Sequence, residues 1–476
     1  MKVEVRQSRP RDTGVDVVVV GLYQGDPEPE GIGIVPGVRD AKSSFKKVST
    51  FHFDDPQWLL VVGLGDREEI DVERLRVAAA VAGKEAGRLE ARSLAWALPD
   101  GFDAEAAADA LVTGSILASY RFDRFKSGDG DDSPRLESLT LLGPDQIAEA
   151  AERARVAAEA QNRARDLQST PANFATPTDL AARAEEIAAT SEALTVDVFG
   201  RAELERKGMG GLLAVSQGGP QEPKLIVLRY AGGGSSPKLA FVGKGVTFDT
   251  GGISLKPGAG MHEMKMDMSG AAAVLEAVTA IAELGLPLDL LAVVPSTENM
   301  PSGSAVKPGD VITQYNGKTV EVNNTDAEGR LILADALAYA VELGAERIVD
   351  LATLTGAVVI ALGSTYAAVI SNDDALAADV VRAGGETGEL AWRLPLHPEY
   401  KELMKGTVAD LSNLAKARKA GTITAGAFLE EFVGETPWAH VDIAGTAWDV
   451  GREYTGKDAS GFGVRLLIEL ARHHAS

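Results

Sequence analysis

The chain has 476 residues, no cysteine and a formal net charge of −22 at pH 7, which predicts two domains, because one hydrophobic core rarely serves more than roughly 250 to 300 residues. The missing cysteines exclude disulfide bonds and thiolate metal sites, and the acidity disfavours binding to the phosphate backbone of nucleic acids. No segment approaches the ~20 consecutive apolar residues that span a bilayer, and the first residues lack the pattern of a secretion signal, so we expect a cytoplasmic protein with no membrane role.

The first part of the chain has the pattern of a small α/β domain. Compact apolar runs predict strands, and Ala-rich amphipathic stretches between them predict helices. The predicted strands are 15–21, 58–63, 93–98 and 138–142, and the predicted helices are 72–89 and 104–120. We place the amino-terminal domain at residues 1–143.

A polar, Ala-rich stretch over residues 144–170 predicts an exposed helix that connects two domains. The following loop, STPANFATPTD, contains two prolines, which stop the helix. We expect Asp179 to cap a new helix that starts at Leu180. The second domain is placed at residues 171–476.

The second domain alternates strands and helices. Strands are predicted at 223–232, 238–246, 288–295 and 347–354, with helices at 269–285 and 329–344. This alternation predicts an α/β fold with a mixed, mostly parallel sheet sandwiched by helices. Ligands of such sheets bind at the carboxyl ends of the strands, and the chemistry is expected there.

Three segments at such positions contain ionisable residues that a buried core would not tolerate, namely 243–252, 256–267 and 324–331. Lys244 ends the apolar run KLAFVG, where an ammonium group is costly unless it is paired or neutral. By itself it is more typical of a salt-bridged lysine. Coordination to a metal ion is the alternative, since a divalent cation can displace the proton of an amine.

Four carboxylates accompany Lys244, and they are Asp249, Asp267, Asp326 and Glu328. If the strand ends bring them together, their mutual repulsion in a low dielectric is large, and two divalent cations would cancel it. Oxygen-rich ligation favours Mn²⁺ or Mg²⁺, while a nitrogen from Lys244 favours Zn²⁺, Co²⁺ or Mn²⁺. The sequence therefore predicts a two-metal site that activates a water molecule.

Lys256 and Arg330 would remain as positive groups beside the ions. A lysine there is suited to polarising a carbonyl group, and an arginine to holding an anion through two N–H groups. Both could instead be salt-bridge partners only.

The ionisable segments lie within longer motifs, which read KGVTFDTGGISLKP, MKMDMSGAA, NTDAEGRL and LATLTGA. With ENMPSGSAVKPGDV, ITAGAFLEEFV and HVDIAGTAW around them, these motifs resemble the signatures of leucyl aminopeptidases, also called cytosol aminopeptidases. The resemblance implies a metallo-exopeptidase that hydrolyses the first residue, preferably Leu or another apolar residue, from peptides.

The resemblance also implies roles for single residues. Lys244, Asp249, Asp267 and Glu328 would bind one metal ion, and Asp249, Asp326 and Glu328 the other, with Asp249 and Glu328 shared. Lys256 would polarise the peptide carbonyl, and Arg330 would hold a bicarbonate ion that acts as general base. The ions would be Mn²⁺ or Zn²⁺, or else Co²⁺ or Mg²⁺.

Weaker implications concern the substrate and the assembly. The backbone at Leu354 would hydrogen-bond the substrate, and Met264, Thr353 and Gly356 would line the pocket for the first side chain. The family resemblance further implies a homo-hexamer, a dimer of trimers.

Two alternatives stay open. A two-metal phosphoesterase also uses carboxylate-bridged ions, although none of the six histidines matches a ligand position. Some bacterial members of the family bind DNA as accessory factors, and the net charge opposes that role here. A basic cluster, Lys416, Arg418 and Lys419, either decorates the surface or modulates access to the site.

Overall fold

The computed structural model describes residues 1–29, 31–54, 57–127, 135–234, 238–417 and 419–475. The chain forms two compact units, one of Met1–Asn162 with Gly451–Gly456 and one of Arg163–Val450 with Lys457–Ser476. Within the described ranges, the helices are too short or too polar to cross a membrane.

The first unit contains a six-stranded sheet and two long helices. Its strands are β1 (Lys2–Arg6), β2 (Val17–Tyr23), β3 (Val48–Asp54), β4 (Gln57–Gly65), β5 (Ser93–Ala97) and β6 (Ser138–Leu142), and its helices are α1 (Val72–Arg88) and α2 (Ala104–Ala118). The strand order is β1-β6-β5-β2-β4-β3. Only the β3–β4 pair is antiparallel among these described strands. The predicted strands and helices of this part of the chain are confirmed to within a few residues.

Strand β2 shows why an unbroken valine run forms a strand here. Val17 and Val19 pack into one hydrophobic cluster, whereas Val18 and Val20 pack into another. Successive side chains of a strand point to opposite faces, so a strand that is covered on both faces is apolar at every position.

Helix α3 (Ala148–Ser169) matches the predicted connecting segment, but the prediction that it is exposed is wrong. Ala151, Ala154 and Ala158 are buried in the core of the first unit. Their spacing of three and four residues places them on one face of the helix, and their small side chains let the helix pack closely.

Helix α4 (Pro177–Ala188) begins three residues before the predicted start. Thr176 is the cap, and Asp179 lies inside the first turn, where its carboxylate accepts a hydrogen bond from the Thr176 backbone N–H at 2.9 Å. The prediction that Asp179 caps the helix is therefore wrong. Proline is favoured in the first helical position because its missing N–H has no partner there in any case.

The second unit is built on a nine-stranded sheet. Its further strands are β7 (Leu194–Phe199), β8 (Lys224–Ala231), β9 (Leu239–Gly243), β10 (Gly245–Asp249), β11 (Asp289–Asn299), β12 (Asp310–Thr313), β13 (Thr319–Val322), β14 (Arg347–Ala352), β15 (Ala367–Ser371), β16 (Ala391–Arg393), β17 (Leu411–Ser412) and β18 (Trp438–Asp442). The large sheet has the order β16-β15-β18-β14-β9-β11-β8-β7, with β10 paired to β11, and β12-β13-β17 form a small separate sheet.

Helices flank the large sheet. They are α5 (Arg201–Lys207), α6 (Gly210–Val215), α7 (Ser269–Glu283), α8 (Gly329–Glu342), α9 (Gly356–Leu362), α10 (Asp374–Thr387), α11 (Pro398–Glu402), α12 (Gly421–Glu430) and α13 (Val464–Ala475). The predicted α/β class with a mixed, mostly parallel sheet is confirmed.

The central strands share one direction and so present their carboxyl ends at one edge. Strands β9 and β10 both run parallel to β11, and β14 runs parallel to β9 and β18. The predicted strand 238–246 is divided at Lys244 into β9, which pairs with β14, and β10, which does not; the Lys244 backbone N–H still donates to the carbonyl of Leu351 in β14 at 3.0 Å. This break places the lysine at the edge where ligands of parallel sheets bind.

Candidate metal centre

Lys244 lies in the break between β9 and β10 and is 2 % exposed. Its Nζ is 2.7 Å from Asp267 Oδ1 and 2.9 Å from Glu328 Oε1, and it also donates to the carbonyl oxygen of Thr353 at 2.9 Å. Asp267 is the penultimate residue of a 3₁₀ helix, Met261–Met268, that directly precedes α7, and Glu328 directly precedes α8. Two helix starts and one strand end therefore converge on a single amine.

Lys256 occupies a second position among the acids. Its Nζ is 2.7 Å from Asp249 Oδ2, and it also forms an ion pair with Asp326. Asp249 ends β10 and is buried, whereas the side chains of Lys256 and Asp326 are 24 % and 32 % exposed. Lys256 therefore lies at the open side of the cluster and Lys244 at its closed side.

Two glycines let the loop after β10 fold back onto the cluster. Gly251 and Gly252 have φ angles of 85° and 65°, which favour glycine because a Cβ atom would be strained there. A Cβ on Gly251 would lie 2.9 Å from Asp326 Oδ1. Thr325 then fixes the loop by donating its hydroxyl to the carbonyl of Gly251 at 2.6 Å.

Some carboxylate oxygens of the cluster have no hydrogen-bond partner among the described residues. One ligand atom each of Asp249, Asp326 and Glu328 lies within 4.8 Å of the others. Asp267 Oδ2 and Glu328 Oε2 are buried and have no hydrogen-bond partner among the described residues. Buried carboxylate oxygens are costly without a partner. Oxygen atoms that converge in this way fit divalent cations, which bind through carboxylates.

The electrostatics of the cluster favour additional positive charge. Burial disfavours the ammonium form of Lys244, but Asp267, Glu328 and Asp249 outweigh it and raise the lysine's pKa above its ordinary value. Burial raises the pKa of Glu328, and repulsion by Asp249 raises it further. Burial likewise raises the pKa of Asp326. Four acids around two ammonium groups leave an excess negative charge that divalent cations would neutralise.

Arg330 is the second residue of α8 and is 7 % exposed. One arm of its guanidinium donates to the carbonyl oxygen of Asn413 at 2.8 Å, while its Nε has no hydrogen-bond partner in the described structure. Burial lowers the pKa of Arg330 to about 10, although Glu328 and Asp442 partly offset this. The group is still charged at neutral pH and can bind an anion through its free N–H.

The structure brings Thr353 to the cluster, and the other predicted pocket residues lie on segments next to ligand-bearing or Thr353-bearing ones. The Thr353 hydroxyl donates to Asp267 Oδ1 at 2.7 Å. Leu354 follows it, and its backbone N–H donates to Asp442 at 3.1 Å. Met264 lies in the 3₁₀ helix three residues before Asp267, and Gly356 is the first residue of α9.

The charged residues of the sequence did not reveal the neutral residues that orient the ligands. Asn299, at the end of β11, donates its amide to Asp249 Oδ1 at 2.8 Å. The Asn413 backbone carbonyl accepts a hydrogen bond from Arg330, and the Asn413 side-chain amide donates to the carbonyl oxygen of Asn324 at 2.6 Å. Asn299 lies in the motif ENMPSGSAVKPGDV, which would have identified it, whereas Asn413 has no such signal.

The basic cluster 416–419 has no assigned role in this arrangement. Lys416 and Lys419 lie between β17 and α12, and Arg418 falls outside the described residues.

Comparison with known proteins identifies one family for both parts of the chain. The profile of the cytosol aminopeptidase family, catalytic domain, matches residues 162–468, and that of the family's N-terminal domain matches residues 39–129. A probable cytosol aminopeptidase of Roseiflexus castenholzii is 45 % identical over 485 residues, which cover 99 % of both chains.

Two solved structures have a fold similar to that of this chain. The bottromycin maturation enzyme BotP in complex with Mn has a TM-score of 0.89 and 37 % identity, covering 97 % of this chain and 100 % of that one. A mutant of tomato leucine aminopeptidase has a TM-score of 0.89 and 34 % identity, covering 99 % and 96 %. The chain belongs to the cytosol aminopeptidase family and is a metal-dependent aminopeptidase, a metallo-exopeptidase.

Proposed function

We propose that this aminopeptidase removes the first residue of peptides at the cluster around Lys244, with two divalent ions held by its side chains. The observation that supports this most directly is that two buried carboxylate oxygens, on Asp267 and Glu328, have no partner among the described residues and lie beside carboxylates that already converge. Buried carboxylate oxygens of an ordinary salt-bridge network are normally paired.

The five ligands divide into two sets. Lys244, Asp249, Asp267 and Glu328 would hold one ion, and Asp249, Asp326 and Glu328 the other. The burial of Asp249 and Glu328 between the two lysines supports their role as shared ligands. When bound, the ions would supply Lewis acidity and a water nucleophile of lowered pKa. Manganese or zinc is the expected metal, with cobalt or magnesium as further possibilities, and manganese is supported by the structural neighbour with Mn in its name.

Lys256 is proposed to hold the developing oxyanion of the peptide carbonyl. It stands at the open side of the cluster, where a substrate would enter, and is partly exposed. Burial disfavours its charged form, but Asp249 and Glu328 outweigh that and raise its pKa. These acids favour the ammonium form of Lys256, which is the form that an oxyanion partner needs.

Arg330 is proposed to hold a bicarbonate ion, which would supply a general base. Its buried guanidinium with an unpartnered Nε supports an anion site, because a buried donor without an acceptor is costly. Asn413 fixes one arm of the guanidinium and so fixes the direction of the free N–H. The residue's own part is to hold and orient the anion that takes up the proton.

Leu and other apolar first residues are proposed as preferred substrates. Met264, Thr353 and Gly356 would line the pocket for the first side chain, and the backbone at Leu354 would bind the peptide. The names of the relatives, cytosol and leucine aminopeptidase, support this choice. Those names also support our proposal that the protein is cytoplasmic.

Two proposals concern organisation. We propose domains at 1–143 and 171–476 joined by a connecting helix at 144–170, and the two family profiles, which match 39–129 and 162–468, support that division. We also propose a homo-hexamer, a dimer of trimers, on the family resemblance. A role in nucleic-acid binding is opposed by the net charge of −22.

The decisive experiment compares substrates in protein stripped of metal and then reloaded with Mn²⁺. We expect leucine p-nitroanilide to be hydrolysed, N-acetyl-leucine p-nitroanilide to be resistant because its amine is blocked, and p-nitrophenyl phosphate to be inert. Hydrolysis of the phosphate ester in preference to the anilide would establish the alternative, a two-metal phosphoesterase. Cleavage of the acetylated substrate would contradict the exopeptidase mechanism.

A further inference from the structure

A carboxylate outside the predicted ligand set, Asp442 at the carboxyl end of β18, is fully buried. Its Oδ1 accepts hydrogen bonds from the backbone N–H groups of Leu354 at 3.1 Å and Thr355 at 3.4 Å. Its Oδ2 accepts from the Thr355 hydroxyl at 2.6 Å. Apart from the backbone N–H of Ala444, at 3.2 Å, the donors described for this carboxylate belong to the loop that follows β14.

The residue just before those donors serves the ligand cluster. The Thr353 carbonyl oxygen accepts from Lys244 Nζ at 2.9 Å, and the Thr353 hydroxyl donates to Asp267 Oδ1 at 2.7 Å. Lys244 and Asp267 are the two ligands that belong to one proposed ion and not to the other. The loop held by Asp442 therefore touches only one half of the two-metal site.

The loop is held from two sides. Strands β14 and β18 are parallel neighbours, with Ala352 paired to Asp442. On the other side, the Thr355 hydroxyl is 2.9 Å from the hydroxyl of Thr422, in the first turn of α12. The Leu354 N–H and the Thr353 carbonyl belong to one planar peptide group, so anchoring this N–H on Asp442 fixes the direction of the carbonyl that Lys244 contacts. Groups that orient a metal ligand from behind set its affinity for the ion.

We propose that Asp442 is a positioning residue, which through the loop 353–355 orients Lys244 and Asp267 for the ion that these two residues share. This rests on the proposed two-metal site. Asp442 does not touch that ion itself, and the side of the site formed by Asp326 does not depend on it.

The test counts bound Mn²⁺ in the full-length protein, by calorimetric titration and by electron paramagnetic resonance, which distinguishes a coupled pair from a single ion. Wild type should bind two ions per chain. In Asp442→Ala we expect one ion to bind about ten-fold more weakly or more, with the other close to wild type. Asp442→Asn keeps an oxygen for the backbone N–H groups and should lose less.

A second pair of variants covers the case in which Asp442→Ala does not fold. Thr355→Val removes the hydroxyl that Asp442 accepts and should weaken the same ion, whereas Thr355→Ser restores the hydroxyl and should restore binding. Glu389→Gln is the matched control, because Glu389 is also buried and accepts a backbone N–H, from Leu466 at 2.8 Å, on elements away from the cluster. It should bind both ions as wild type does.

Each result decides the inference. Selective loss of one ion in Asp442→Ala or Thr355→Val supports it. Unchanged binding of both ions, or equal weakening of both, overturns it. If wild type itself binds fewer than two ions, the proposed function fails, and this outcome is separate from a failure of the Asp442 variants in a wild type that binds two.

Discussion

At the scale of single residues, the site is a balance between two ammonium groups and four carboxylates. Lys244 is enclosed and contacts Asp267 and Glu328, while Lys256 is partly exposed and contacts Asp249 and Asp326. We propose the enclosed lysine as a metal ligand and the partly exposed one as an electrophile. The proposed difference follows from burial, because each amine contacts two acids but only Lys244 is enclosed.

Lys256→Ala should lower kcat for leucine p-nitroanilide by about 10²- to 10³-fold, the usual cost of one oxyanion-hole donor. Its content of bound Mn²⁺ should stay at two ions per chain, since Lys256 is not a proposed ligand. Steady-state kinetics together with elemental analysis checks both points. Lys307→Ala is the control, because Lys307 is exposed and, in the described part of the chain, forms its ion pair with nearby Asp310. Near-normal turnover in Lys256→Ala would show that the role is misassigned.

Lys244 predicts a pH dependence of metal binding. Its pKa is raised by the surrounding acids, so the amine is protonated at neutral pH and must lose that proton to become a ligand. Affinity for Mn²⁺ should therefore rise with pH. Titration calorimetry in buffers of different ionisation enthalpy should show about one proton more released by wild type than by Lys244→Gln. Lys256→Gln should release as many protons as wild type, and equal release in all three proteins would refute a neutral Lys244.

At the scale of elements, the site depends on where strands and helices stop. The break between β9 and β10 exposes Lys244 to the cluster, and α8 begins immediately after Glu328. The first residue of α8, Gly329, leaves room for the lysine. A Cβ there would lie 2.8 Å from Lys244 Nζ and 2.7 Å from its Cε.

Gly329→Ala should separate folding from function. Because the atoms in the way are the end of a flexible side chain, the fold can tolerate the methyl group, and the free energy of unfolding should change by no more than about 1 kcal/mol. The lysine must move, and we expect Mn²⁺ affinity to fall about ten-fold or more. Chemical denaturation and metal titration measure the two effects. Gly385→Ala, in α10 with open space at its Cβ, should leave Mn²⁺ affinity unchanged and stabilise the fold by no more than about 1 kcal/mol.

A second element-scale prediction concerns the segment that leads to Asn413. The backbone N–H of Val408, with help from Ala409 and Thr407, lowers the pKa of Glu321, on β13, to about 2. An acid whose pKa is lowered in the folded chain stabilises it above the ordinary value of 4.5, and this contribution is lost as the pH falls toward about 2.

Wild type should therefore be more stable than Glu321→Gln at pH 7, and the difference should shrink as the pH falls below 4.5. Urea denaturation of both proteins at pH 7, 5 and 3.5 gives the comparison. A difference in unfolding free energy that is the same at all three pH values would contradict the assignment.

At the scale of the whole molecule, assembly is the open property. Large apolar side chains lie on the surface of the second unit, including Ile360 at 91 % and Trp392 at 58 % exposure. Exposed apolar groups of this size are candidates for burial between subunits.

Light scattering after size-exclusion chromatography should give a mass of roughly 300 kDa, which is six times the chain mass of 49.9 kDa. Mn²⁺ should not be needed for the hexamer, because the proposed ligands all come from one chain. A mass near that of one or three chains at micromolar concentration would show that the proposed dimer of trimers is wrong.

Local pattern by itself determined the strands and helices around the site, since period and composition decide local structure. It also marked Lys244, Asp249, Asp267, Asp326 and Glu328, because charges that end apolar runs have few structural explanations. The predicted start of α4 was wrong, because both Thr176 and Asp179 are suitable capping residues. The prediction that α3 is exposed was also wrong, because alanine is compatible with both surface and core.

Only the tertiary structure decided which groups meet. Asp267 and Thr353 are 86 residues apart and Asp249 and Asn299 are 50 apart, yet each pair is joined by one hydrogen bond. Contacts of neutral side chains over such separations leave no periodic signal in the chain. They exist because parallel strands from distant segments end at one edge of a sheet, which is a property of the packing and not of any local run of residues.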